Sequence, residues 1–164
     1  MALKLLPSRK DRVVFISSGD TAVDTSTPEL AEEYQKYLTH MDPSRLTYKG
    51  EPTKFVCRPM TREILEYALR DARGWHLSPG ITDVAVARKI LMLCCESIEN
   101  PPKEAGADLY RAHYGRVGLH PDFVADLEQA TCIEAATMLT NTLPMPPAED
   151  EDKPVKKTAS IKKK

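Results

Sequence analysis

The side chains able to do chemistry are scattered along this chain. Its four histidines are His40, His76, His113 and His120. None lies four residues from another, and no H-E-x-x-H or C-x-x-C pattern accompanies them, so the spacing predicts no metal centre. Asp20 and Asp24 stand four apart in a Ser/Thr-rich stretch. Paired carboxylates serve acid–base work or bind a cation. Here no glycine follows at calcium-loop spacing and no distal glutamate is in register, so loop polarity accounts for them. Ser17-Ser18-Gly19-Asp20 follows an apolar run, as phosphate loops do, but lacks the glycine-rich spacing and the Lys-Ser/Thr ending. No G-x-S-x-G elbow is present. These residues give no catalytic, cofactor-binding or metal-binding assignment, and the chain is expected not to be an enzyme. A convergence of Asp20, Asp24, His40 and His113 in the fold would revive catalysis. His113, with Asp108 and Tyr110, is expected to decorate a helix face.

The four cysteines are Cys57, Cys94, Cys95 and Cys132. They are expected to pack as small apolar thiols, because nothing points to an oxidising compartment.

Composition narrows the class further. The 164 residues suffice for one domain of ordinary size and a tail. Hydrophobic residues make up 41% and charged residues 29%, a balance that suits a folded, water-exposed protein. The formal net charge of −1 offers no bulk attraction to nucleic acid. The longest strongly apolar run, Ile90 to Cys95, is far shorter than the ~20 residues of a membrane span. MALKLLPSRKDR lacks a signal-peptide pattern, so a cytoplasmic location is expected.

The elements that must position these groups form an α+β domain over 1–143. It is mainly helical, with about five helices and a small two- to three-stranded antiparallel sheet near the N-terminus. Val13 to Ile16 predicts a first strand. Thr27-Pro28-Glu29 predicts a helix start, with threonine as cap, proline in the first turn and glutamate at the positive dipole end. That helix should run to about Thr39 and stop before Asp42-Pro43. Leu46–Tyr48 and Phe55–Arg58 read as a hairpin joined through Lys49-Gly50-Glu51-Pro52, with Phe55 and Cys57 on one face. Thr61 should cap a helix from Arg62 to about Ala72, with Gly74 closing it. Thr82 should cap a buried, central helix running to about Ile98. A weaker helix is expected over 103–114, a turn over 115–118, and a terminal helix from His120 or Pro121 to about Thr140.

From residue 144 the composition changes. Glu149 to Asp152 is an acidic block, and six of the twelve residues in 153–164 are lysine. This reads as a disordered charged tail outside the core.

Two segments carry a family likeness. In GEPTKFVCRPMTREILEYA, the residues Glu51-Pro52-Thr53, Phe55, Val56, Arg58-Pro59-Met60 and Thr61 resemble a strand that opens the first helix of small tailed-bacteriophage proteins. Gly118 to Leu127, GLHPDFVADL, is similar to the start of their terminal helix. The family is the phage tail assembly chaperones, and the two segments span under a fifth of the chain. Cys57 stands where an aliphatic residue is usual, and the N-terminal strand and helix are longer than the likeness requires.

The resemblance implies a non-enzymatic late protein of the host cytoplasm, without cofactor. It would bind the tape-measure and major tail proteins during virion assembly, and self-association stays open. It implies no specific nucleic acid and no membrane. Such chaperones are often made in two lengths by ribosomal frameshifting, and the Lys162-Lys163-Lys164 ending suits an A-rich slippery site. The alternative is a virion structural protein, such as a neck, connector or minor capsid component. Trp75 and His76 in a loop, with Phe123 and Leu127 on the terminal helix, are the expected partner-binding residues.

Overall fold

The computed structural model describes residues 12–73, 79–106 and 108–143. The expected tail, Gly74, Trp75 and His76 lie outside the described residues. The chain runs β1 (Val13–Phe15), α1 (Pro28–His40), a 3₁₀ turn (Pro43–Arg45), β2 (Lys54–Cys57), α2 (Arg62–Arg73), α3 (Pro79–Cys94), β3 (Cys95–Glu99), β4 (Tyr110–His113), β5 (Arg116–Leu119), α4 (Pro121–Asp126) and α5 (Gln129–Thr140). This is an α+β fold with five helices among the described residues, a three-stranded sheet in order β1-β2-β3 and a separate β4-β5 hairpin.

The starts of α1 and α2 follow the local signals, whereas α3 begins at Pro79 and so contains the Thr82 expected to cap it. Thr27 Oγ1 accepts the Leu30 amide at 3.2 Å, and Thr61 Oγ1 accepts the Ile64 amide at 3.2 Å. Helix α1 ends at His40 and is capped by Met41, whose φ of 58° turns the chain before Pro43.

Four expectations are corrected. Residues 46–48 do not form a hairpin with β2. Tyr48 makes only an isolated bridge to Val23, and β2 pairs on both edges with distant strands, Val13 opposite Cys57 and Phe55 opposite Ile98. A central strand covered on one face is worth more than a local hairpin, because a two-stranded ribbon is marginal alone. The helix expected to reach Ile98 stops at Cys94, where the chain enters β3 directly. The Cys94 carbonyl accepts the Arg58 amide at 2.9 Å, so the helix end is paired with the end of β2 instead of with another turn. The weak helix expected over 103–114 is absent among the described residues of that range. Its second half is β4, and the expected turn contributes β5, with Tyr114 (φ 51°) and Gly115 (φ 76°) as the two-residue turn. The terminal helix is broken into α4 and α5 by extended backbone at Leu127 and Glu128.

The central position expected for the third helix is observed. Ile90 to Cys94 of α3 are all buried, and α3 lies against both α2 and α5. Phe15, Phe55 and Cys57 close the sheet side of the same core. All four cysteines are buried and free. Among the described residues no helix is long and apolar enough to cross a membrane.

Candidate functional site

The junction at Phe55–Thr61 has an architectural part. A register shift between Val56 and Cys57 leaves Glu96 as the extra residue of β3. Such a bulge re-aims a side chain. The Glu96 carboxylate sits 2.9 Å from Arg12 Nε and 3.5 Å from Arg58 Nε, the latter a charge contact without hydrogen-bond geometry. Arg58 is buried, and its other terminus donates to the Val117 carbonyl on β5. One guanidinium therefore ties the three-stranded sheet to the hairpin.

Gly118 completes that attachment. A Cβ there would overlap the Met92 carbonyl of α3 and lie 2.7 Å from the His113 ring. The hairpin backbone can approach the helix this closely only at glycine. His113 Nε2 meets the Leu119 carbonyl at 2.7 Å, and Tyr110 Oη accepts the Ile98 amide at 2.8 Å. His113 is thus a hairpin residue and not helix decoration.

The outward product of this docking is a tyrosine–arginine face. Tyr114, at the hairpin tip and 55% exposed, stacks on Tyr67 of α2 with centroids 4.2 Å apart and planes 7° from parallel. Arg70 lies 5.0 Å from the Tyr67 ring centroid, within cation–π range. The Tyr114 hydroxyl accepts from Arg70 at 3.4 Å and donates to Asp71 at 3.2 Å. Lys89 stands 3.8 Å from Asp71. The Tyr67 hydroxyl donates to Glu63 at 3.0 Å, and this bond to a carboxylate raises its pKa above the ordinary tyrosine value. Hollows of about 80 Å³ and 360 Å³ flank Tyr114, the first beside Arg58 and Arg116, the second beside Lys89 and Arg111. Exposed Arg70, Arg111 and Arg116, with half-buried Lys89, outnumber Glu63 and Asp71, so the face is net positive. The face offers flat aromatic area, guanidinium groups and hydroxyls held by hydrogen bonds.

A second concavity lies where two of the four sequence-chosen residues fall. Half-buried Phe123 and Leu127 pack on the core with one side and line a groove of about 550 Å³ with the other. Its walls also include Pro102, Glu104, Asp108, Asp122 and Asp126, with His120 Nδ1 3.8 Å from the Asp122 carboxylate.

The other chemically able residues are not brought together by their contacts. Asp20 accepts the Ala22 and Thr53 amides, both at 2.8 Å. Asp24 accepts from Ser26 at 2.6 Å and pairs with Lys49 at 3.3 Å, and these bonds lower its pKa. His40 is exposed at the end of α1. The Ser17–Gly19 loop is filled by the protein itself: Glu134 accepts the Ser18 amide at 3.1 Å, the Ser18 hydroxyl, and the Tyr34 hydroxyl at 2.9 Å. A carboxylate of α5 thus occupies donors that a phosphate would need. Among the described residues no group of three or more His, Cys, Asp or Glu side chains could hold a metal ion.

Sequence reasoning missed the tyrosine–arginine face because its halves are far apart in the chain. The Tyr67–Arg70 spacing on one helix and the Tyr-Gly pair at 114–115 were the available signals. Comparison with protein-family models, with curated proteins and with solved structures gives no match.

Proposed function

We propose that this protein is a non-enzymatic binding protein of virion assembly, acting as the tail assembly chaperones do. It would hold a segment of the tape-measure or major tail protein in the host cytoplasm. The observation that carries a binding role is the stack of exposed Tyr114 on half-buried Tyr67, with exposed Arg70 beside it. Tyrosine and arginine are the residues on which interface energy concentrates. The stack is presented by a hairpin anchored through Arg58 and Gly118, so little ordering entropy is lost on contact. The virion-assembly setting is supported by the residue likeness at 51–61 and 118–127.

The test is co-purification of the full chain with tape-measure and tail-tube proteins from infected cells, together with mass spectrometry of purified particles. The proposal expects co-purification and absence from mature virions. Fixed-copy incorporation into particles would replace it with the structural-component reading. Failure to associate with either tail protein would overturn it.

A further inference from the structure

The groove beside α4 has a chemistry opposite to that of the tyrosine–arginine face. Its apolar surface comes from half-buried Phe123 and Leu127, and exposed Asp122, Asp126, Glu104 and Asp108 add four carboxylates. A matching occupant needs closely spaced positive charges with an aliphatic side chain among them. The segment 153–164, KPVKKTASIKKK, has that composition: six lysines with Val155 and Ile161 between them. It is tethered to the same molecule. From Leu143, ten residues lead to Lys153 and twenty-one to Lys164, an extended reach of roughly 33 to 70 Å, which covers a domain of this size.

We propose that the lysine-rich segment 153–164 docks in cis in the Phe123–Leu127 groove. Individual exposed ion pairs are weak. The tether supplies an effective concentration on the order of millimolar, so several weak pairs and one buried aliphatic side chain suffice. The acidic block 149–152 is repelled by the same carboxylates. This fixes the polarity, with the lysines in the groove and the acidic block outside it. The docked segment shields the groove from basic segments of other proteins.

The test uses the full chain. The four native cysteines are buried, so a nitroxide placed by Ser160→Cys labels one position. Amide signals of Phe123, Leu127 and Asp108 are expected to broaden at ~50 mM salt and to recover at ~0.5 M, where screening shortens to a few ångströms. Replacing Asp122 and Asp126 with asparagine should remove the broadening. Lys162→Gln, Lys163→Gln and Lys164→Gln together should do the same while leaving the folded body untouched. Three results overturn the proposal. These are broadening centred elsewhere or nowhere, broadening that persists at high salt, and equal broadening of an isotope-labelled chain mixed with a separate spin-labelled one. The last would place the contact between molecules.

Discussion

Tyr67 and Tyr114 lie face to face, 4.2 Å between ring centroids, although one belongs to helix α2 and the other to the turn of the β4-β5 hairpin. Everything that holds the hairpin to the helices therefore sets the geometry of the exposed aromatic surface. Truncating Tyr114 separates surface from scaffold. Tyr114→Ala should lower stability by no more than about 1 kcal/mol, since Tyr114 is exposed and its stacking on half-buried Tyr67 is a single aromatic pair. It should weaken binding to a tail-protein client by at least about tenfold, the scale of an interface hot spot. Urea unfolding and titration calorimetry read the two effects.

Gly118 carries the close approach of β5 to α3. Gly118→Ala should cost roughly 1–3 kcal/mol, because the helix carbonyl of Met92 cannot yield as a flexible side chain would. Amide exchange should accelerate first in β4 and β5. An unchanged urea midpoint would show that the hairpin is held otherwise.

Arg58 and Glu96 form the junction between the sheet and the hairpin. Arg58→Met should cost about 2–4 kcal/mol, since it strips the Val117 carbonyl of its donor and leaves Glu96 with Arg12 alone. Adding Glu96→Gln should recover part of that loss in a double-mutant cycle. Strict additivity would contradict the coupling.

Much of this was legible in the sequence where the signal was local. Thr27-Pro28-Glu29 announces α1, Thr61 announces α2, and the apolar run Ile90–Cys94 announces the central helix. The misses share one physical cause, which is that distant pairing overrides local preference. Cys95–Glu99 follows the apolar helical run without a break signal, and it pairs as a strand with β2, which is distant in sequence. Tyr114-Gly115 is a hairpin turn without the usual Asn or Asp, flanked by strands too polar to alternate visibly. The break at Leu127–Glu128 contains neither glycine nor proline. The tyrosine–arginine face inherits the same difficulty, since its existence depends on where the hairpin lands.

Alkaline pH should unfold the protein earlier than a thiol-free core would allow. Burial raises the Cys94 thiol to about 12 and also raises Cys132. The neighbouring Cys95 and burial raise Cys57, and burial raises Tyr34 and Tyr37 above ordinary tyrosine. In the unfolded chain thiols ionise near ~8.5 and tyrosines near ~10. Above those values the unfolded state has released protons that the folded state keeps, so stability falls as pH rises. It should be full below pH ~8 and decline beyond ~8.5, by up to ~1.4 kcal/mol per pH unit for each affected thiol. For Cys94 the decline should continue to about 12. Urea midpoints under reducing conditions across pH 7–11 measure this, and a flat profile would contradict it.

Tyr67, Arg70 and Tyr114 form the proposed protein-binding face. The most direct measurement is the affinity of the purified full chain for the purified tape-measure protein, before and after Tyr114→Ala, with folding verified by circular dichroism. Measurable binding by the parent and at least about tenfold weaker binding by the folded variant are expected. Equal affinity of the two chains would contradict that role for the face.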